Sequence, residues 1–312
     1  MQNSMQNPEI VIIGAAIIDV LARPVSASVF QTGSYPVDDI YMTTGADALN
    51  EATILAKKGR RVQLETVIGK DDAGNFILNH CEKTGIIVRK ECIREAEKTG
   101  MNIVLIEEDG ARSFFTNPHG TLRSLQMEHI QMPFPKSAKV LCFASIFVFP
   151  KLGPEKLRDI FQSAKAQGMI VCADMTKRKN GETLEDMKEA FSYIDYLFPN
   201  AEEAMLLTGA DTAEKAAELI KSSGVGNVII KCGNRGCYVQ TDVEKYWIAA
   251  EKDVECIDTT GAGDSFAAGF LEALLEGKNV RECAKNGNQY GARAVQYVGA
   301  TEWLKHEKHE TA

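Results

Sequence analysis

Short apolar runs of strand length alternate along most of this chain with longer stretches whose apolar residues recur at helical spacing. Runs of the first kind are built to be buried on both faces, and stretches of the second carry one apolar stripe. The pattern therefore calls for an α/β fold, a doubly wound and mostly parallel sheet with helices on both sides. Residues 9–13 read as the opening strand, 48–58 as a helix stopped by Gly59, 62–68 as a strand, 73–83 as a helix stopped by Gly85, and 86–88 as another strand. Further strands are expected at 140–144, 169–173, 196–198 and 228–231. Further helices are expected at 154–166, 202–207, 212–221, 263–276 and 281–297. At 312 residues, one domain with an appendage and two domains both suit the chain. The lack of any internal repeat, low-complexity tract or Pro/Gly/Ser-rich linker favours a single domain over 1–312.

Two stretches break the alternation. Residues 101–107 and 111–115 are β-rich and flank Glu108-Asp109-Gly110, a hairpin signal in which glycine supplies a positive φ. Residues 21–43 are extended and mixed in polarity, with Pro24, Gly33 and Pro36 set against a helix. Together, about 21–43 and 100–116 are expected to form a small β-sheet projecting from the main body.

Composition removes several classes of function. The balance of 35 Lys+Arg against 43 Asp+Glu gives a net charge of −8, so the chain has no global basic footprint for nucleic acid or an anionic membrane. The longest apolar runs, 10–18 and 140–149, are too short to span a bilayer. The segment Met1 to Asn7 lacks the basic and apolar regions of a secretory signal, so a cytoplasmic location is expected. The eight cysteines are scattered, without a CxxC pair, and read as reduced core thiols. Cys232 and Cys237 flank a turn, but no second pair completes a zinc site. The charged tail 305–310 holds His-Glu-Lys-His, one residue short of a zinc-protease HExxH, and is expected to be solvated.

Chemistry concentrates in Asp258-Thr259-Thr260-Gly261-Ala262-Gly263-Asp264-Ser265-Phe266, which leads into a helix opened by small residues. A helix N-terminus offers N–H groups without intrahelical partners and the positive end of the dipole, so Gly261, Ala262 and Gly263 can bring donors close to a phosphate. A carboxylate beside such an anion hole, that of Asp264, can accept a hydroxyl proton as the oxygen attacks a phosphoryl group. Equally, Asp264 could be no more than a favourable acidic residue in a first helical turn.

Residues 258–270 resemble the C-terminal signature of the ribokinase-like (PfkB) carbohydrate kinases. In the family's order they are joined by Gly14 to Asp19, Gly45-Ala46-Asp47-Ala48-Leu49-Asn50, residues 68–74, Asn200-Ala201-Glu202-Glu203 and Gly299-Ala300. The resemblance covers about residues 9–301. It implies a doubly wound domain whose small sheet is a lid over a sugar site, with the γ-phosphoryl of ATP transferred to a hydroxyl. Phosphate cradling would fall to the Gly261–Gly263 turn, since the chain has neither a P-loop nor the protein-kinase motifs.

Carried over by position, Asp264 is the catalytic base and Gly261, Ala262 and Gly263 the anion hole. Asp19 and Asn50 hydrogen-bond sugar hydroxyls, Gly45 lets the backbone approach the sugar, and Asp47 lies between them. Ala46 stands where the family usually has a second glycine, which puts the identity of the sugar in doubt. Asn200 and Glu203 are associated with Mg2+, water and phosphate, although Asn200 could simply cap its helix. Lys231 and Gly233 correspond to a nucleotide-proximal Lys-x-Gly, and Asn288 falls near the expected adenine. Asp258 matches a position associated in some members with a monovalent cation, K+. The leading expectation is an ATP-dependent sugar kinase. The alternatives are a nucleoside or vitamin kinase of the same superfamily and a catalytically silent sugar-binding sensor. The polar set Asp19, Asp47 and Asn50 favours a polyhydroxylated acceptor over a flat base. Exposed lid edges are expected to pair in a homodimer.

Overall fold

In the computed structural model, residues 7–108 and 110–307 are described. The elements run β1 (Ile10–Ile13), β2 (Ile17–Arg23), α1 (Val29–Thr32), β3 (Asp39–Gly45), α2 (Asp47–Lys57), β4 (Val62–Glu65), β5 (Ile68–Gly69), α3 (Asp72–Thr84), β6 (Ile87–Val88), β7 (Ile93–Arg94), β8 (Met101–Ile106) and β9 (Arg112–Thr116). They continue with β10 (Val140–Ile146), α4 (Pro154–Ala166), β11 (Ile170–Met175), α5 (Leu184–Phe191), β12 (Tyr196–Leu197), α6 (Ala201–Thr208), α7 (Ala213–Ser222), β13 (Asn227–Lys231), β14 (Cys237–Gln240), β15 (Lys245–Ile248), α8 (Ala262–Leu275) and α9 (Val280–Ala294).

Nine strands form a sheet in the order β15-β14-β13-β12-β11-β10-β1-β4-β6, parallel from β13 to β6 and antiparallel at the β13-β14-β15 edge. All four residues of β1 are buried. Alternation sends Ile10 and Ile12 into a core shared with α2 and α8, and Val11 and Ile13 into a second core shared with α4 and α7. The continuous apolar run thus carries helices on both faces.

The small sheet has the order β3-β2-β8-β9. Its register aligns Met42, Val20, Ile103 and Phe115 in one row across all four strands. Asp19 and its partner Asn102 lie on the opposite face, which by alternation also carries Arg112, paired with Ile106 four residues along β8. The face bearing the apolar row is largely uncovered, with Ile103 47% and Phe115 51% exposed. The face bearing Asp19 is turned toward the large sheet.

Several boundaries differ from the expectations. The small sheet begins at Ile17 rather than 21, because β2 pairs with β3 along its whole length and with β8 from Ile18 to Ala22. The run 62–68 is two strands: pairing with β1 ends at Glu65 opposite Ile13, and β5 joins β7 in a separate two-stranded sheet. Strands β14 and β15 and helix α5 were not anticipated. The expected helix 281–297 stops at Ala294, since the Val295 carbonyl accepts from the Ile257 and Asp258 N–H groups at 2.7 and 3.1 Å. The tail is docked as far as Glu307, whose carboxylate accepts from Lys58 at 2.6 Å and Arg293 at 2.9 Å, while His306 stacks on Tyr297. Its remainder, like Asp109 of the hairpin and the first six residues, lies outside the described residues. All eight cysteines are free thiols, six of them buried. Among the described residues no helix is long and apolar enough to cross a membrane.

Candidate active site

Strand β1 has β10 on one side and β4 on the other, so the chain leaves it in opposite directions. A crevice at the carboxyl ends of the strands opens at such a switch point. Here it is a cavity of about 300 Å³ bounded by β10, the small sheet and the N-termini of α2 and α8, and lined by Asp19, Asp47, Asn50, Asn102, Ser145, Gly261 and Asp264 among others.

The two helix N-termini meet across the cavity, where Asn50 Nδ2 donates to Asp264 Oδ2 at 2.7 Å. Burial and the neighbouring Asp47 carboxylate push the Asp264 carboxyl up to about 7, against the opposing effects of the Asn50 hydrogen bond and the Lys231 charge. Asp47 accepts a short hydrogen bond from the Ser145 hydroxyl at the end of β10. Asn102 Nδ2 donates to Asp19 Oδ1 at 2.9 Å, and burial raises the Asp19 carboxyl above its ordinary value. Gly45 pairs with Ile17, two residues before Asp19, and a Cβ there would collide with the Asp19 carboxylate. The glycine therefore makes room for a side chain as well as for the chain itself. Ala46, which lines the cavity, has φ 78° and ψ 147°, a conformation that suits glycine.

Gly261 sits at φ +71° as the N-cap of α8, and a side chain there would strike Ala300. The Ala262 N–H donates to the Thr259 carbonyl at 3.2 Å and the Ser265 N–H to the Gly261 carbonyl at 2.8 Å. The N–H groups between them open the helix, at the positive end of its dipole. Beside this turn lies Lys231, at the carboxyl end of β13, whose ammonium is paired with Asp174 at the end of β11. A Cβ on Gly263 would come within 3.3 Å of the Lys231 ammonium, so that charge borders the first turn of α8. Burial works against the Lys231 charge, but the Asp174 and Glu203 carboxylates outweigh it and hold its pKa above the ordinary lysine value.

Asn200 and Glu203 form a reciprocal capping box on α6: Asn200 Oδ1 accepts from the Glu203 N–H at 2.9 Å, and Glu203 Oε2 accepts from the Asn200 N–H at 2.8 Å. Burial raises the Glu203 carboxyl, with the Lys231 charge acting against it. Among the described residues no three His, Cys, Asp or Glu are close enough to hold a metal ion. The Asn200 amide oxygen and one Glu203 oxygen are engaged in the capping box, and Glu203 keeps a second carboxylate oxygen outside it. Gly233 turns the chain after β13 at φ +58°. Asn288, on α9, is away from the cavity lining, and its Nδ2 donates to the Ile248 and Ala249 carbonyls at 3.2 and 3.1 Å. Asp258 lies at the foot of the Gly261 turn in an ion pair with Arg112 of β9.

A family model for pfkB carbohydrate kinases matches residues 7–307. The chain belongs to the PfkB family of carbohydrate kinases. Among similar PfkB-type proteins, the ribokinase of Haemophilus influenzae is 30% identical over 261 residues, covering 82% of each chain. The 2-dehydro-3-deoxygluconokinase of the same organism is 24% identical over 287 residues, covering 85% of this chain and 90% of its own. The crystal structure of Thermotoga maritima ribokinase superposes with a TM-score of 0.78 at 26% identity, covering 95% of this chain and 98% of that one. The ribokinase-like α/β fold expected from the sequence is the one observed.

Sequence reasoning missed Asn102, Arg112, Ser145 and Asp174. Asp174 follows an expected strand at 169–173 and could have been flagged by position, as Lys231 was. Arg112 and Asn102 carry no such signal, because only the pairing of β8 with β2 and β9 sets Asn102 in the cavity wall and Arg112 against Asp258. Glu51 was also missed. It is fully buried on α2, with Oε2 accepting from the Cys142 thiol at 3.3 Å and Oε1 unpartnered. Burial, then the Asp174 and Asp264 charges, hold its carboxyl well above the usual range.

Proposed function

We infer that this PfkB-family chain transfers the γ-phosphoryl group of ATP to a hydroxyl of a small polyhydroxylated sugar bound in the cavity. The observation that carries this reading is the Asp264 carboxylate, set in the cavity wall at the N-terminus of α8 and fixed by Asn50. Asp264 receives the proton of the attacking hydroxyl as the new O–P bond forms and the bond to the ADP oxygen breaks. The N–H groups of Gly261 and Gly263 and the helix dipole stabilise the charge that develops on the transferred group, Ala262 shapes the turn through its own bond to the Thr259 carbonyl, and Lys231 adds a cation beside them. Mg2+ bound with the nucleotide would neutralise phosphate charge, with Asn200 and Glu203 orienting its water. Gly233 turns next to the nucleotide. Asn288 acts on it only indirectly, by fixing the end of β15.

Asp19, Asp47 and Asn50 offer two carboxylates and an amide to an acceptor rich in hydroxyls, which favours a sugar over a flat nucleobase. Asp19 and Asn102 line the cavity from the small sheet and Arg112 reaches from it to Asp258, so residues 21–43 and 100–116 act as the lid of a single domain. Its outward apolar row, Met42, Val20, Ile103 and Phe115, is suited to burial against another copy of the chain.

The test is ATP-dependent turnover on a panel of sugars and nucleosides, repeated with Asp264→Asn. The substitution is expected to leave ATP and sugar binding in place and to lower kcat by about 10²- to 10⁴-fold, the usual scale of a general base. A variant that turns over like the wild type removes Asp264 from the role of base. Absence of turnover on every acceptor by the wild type refutes the kinase reading.

A further inference from the structure

Asp258 anchors the turn that leads into α8. Its Oδ1 accepts from the Thr260 N–H at 3.0 Å, and its Oδ2 accepts from the Gly299 N–H at 2.8 Å and from Arg112 Nη2 at 2.5 Å. The pair is enclosed, with 7% of the Asp258 side chain and 15% of Arg112 exposed. The surrounding turn is held from the same side. The Ile257 and Asp258 N–H groups donate to the Val295 carbonyl, and Gly261 packs directly on Ala300. Two backbone donors and a guanidinium thus satisfy the carboxylate. Although burial opposes its charge, the Thr260 and Gly299 N–H groups and Arg112 hold the Asp258 carboxyl below its ordinary pKa.

That arrangement does not fit the monovalent-cation site expected at Asp258. A K+ ion at these oxygens would have to share them with a guanidinium of the same charge inside an enclosed site. Arg112 also comes from a separate body of the protein, on the face of β9 that carries Asp19 and Asn102 through the β2-β8-β9 register. Among the described residues, Arg112 and Asp258 make the one ion pair that joins the small sheet to the rest of the chain. A cation supplied by the sheet therefore neutralises the foot of the anion-hole turn.

We propose that Arg112 is a positioning residue whose guanidinium takes the place of a monovalent cation at Asp258, so that the Gly261–Gly263 turn is set by the small sheet and needs no K+. The catalytic consequence rests on the kinase reading, but the structural half does not. Closing the sheet brings Asp19 to the acceptor and Arg112 to Asp258 in one movement. Acceptor binding and the order of the anion hole are coupled through that movement.

The test compares wild type, Arg112→Ala and Arg112→Lys in KCl and in choline chloride at equal ionic strength, with hydrogen exchange of residues 257–263 as the readout. Arg112 is the one β9 residue that is not exposed, so Arg112→Lys is included to keep the charge with a smaller change of shape. The wild type is expected to exchange at the same rate in both salts. Arg112→Ala is expected to exchange about tenfold faster in choline, the scale of one lost charge-assisted hydrogen bond, and to recover in KCl. Arg112→Lys is expected to fall between the two, because it keeps the charge without the planar fork. Slowing of wild-type exchange by K+, or wild-type behaviour of Arg112→Ala in choline, overturns the proposal. Turnover is then measured in both salts with Mg·ATP and any accepted sugar. A wild type that turns over no acceptor while its exchange behaves as expected refutes the kinase reading and leaves the Arg112 assignment standing.

Discussion

Replacing Ala46 with glycine is expected to stabilise the protein, although it removes atoms from a cavity wall. Ala46 is the N-cap of α2, and its carbonyl accepts the first helical hydrogen bond, from the Asn50 N–H at 3.0 Å. Its φ of 78° with ψ of 147° borders a region that is essentially restricted to glycine and costs other residues about 1–3 kcal/mol. Glycine gives back about 0.4–1 kcal/mol through the greater freedom of the unfolded chain. The difference leaves a net gain of roughly 0–2.6 kcal/mol, centred near 1, or up to about 4 °C in Tm for a chain of this size. The assay is urea unfolding followed by fluorescence, with a thermal scan beside it. Ala48→Gly serves as the control, since Ala48 is buried inside the same helix, where glycine is expected to destabilise by about 1 kcal/mol or more. A fall in stability for Ala46→Gly would show that the positive φ carries no strain. Because Ala46 also lines the cavity, its loss is expected to change the KM for the acceptor more than that for ATP.

Asp19→Ala and Asn50→Ala should each weaken the acceptor by about 5- to 150-fold in kcat/KM, with far less effect on ATP, as expected for a lost buried hydrogen-bonding partner of about 1–3 kcal/mol. A normal acceptor KM with a lowered Tm would assign either residue to stability alone. The rate should depend on pH as well: with the Asp264 carboxyl at about 7, kcat/KM is expected to rise as pH rises through that value, because the base must be ionised. Stability has the opposite slope. A carboxyl raised in the folded state costs nothing below the unfolded value of 3.8 and destabilises as pH rises toward about 7, so Asp264→Asn should have a higher urea midpoint than the wild type at pH ~8 and a nearly equal one at pH ~4. An unchanged difference across that range would refute the raised carboxyl. Ile103→Glu places a charge in the exposed apolar row of the small sheet, and sedimentation should show a dimer of the wild type converted to monomer. A monomeric wild type would remove that face as a self-association surface.

Residues 10–13 illustrate what the sequence determined by itself. An uninterrupted apolar run can be satisfied only by burial on both faces, and alternation with amphipathic stretches then requires helices on either side of a parallel sheet. Residues 258–266 are equally local: small residues with a glycine and an acid at the start of a helix mark out, from a few consecutive positions, the turn that opens α8 and the carboxylate beside it. Strand ends and long-range pairings were not readable in this way. Only the end of β1 opposite Glu65 divides the run 62–68, and only the docking of residues 257 and 258 on Val295 ends α9 early. The same holds for Asn102, Arg112, Ser145 and Asp174, whose roles arise where strands distant in sequence end side by side. Register decides which face a strand residue occupies, and one residue of slip would turn Arg112 outward and Phe115 inward. Helix caps and turns are written in neighbouring residues, whereas a cavity between a sheet and its cover is fixed by pairings made across more than a hundred residues. Those pairings depend on burial summed over the whole fold, which no local stretch of sequence contains.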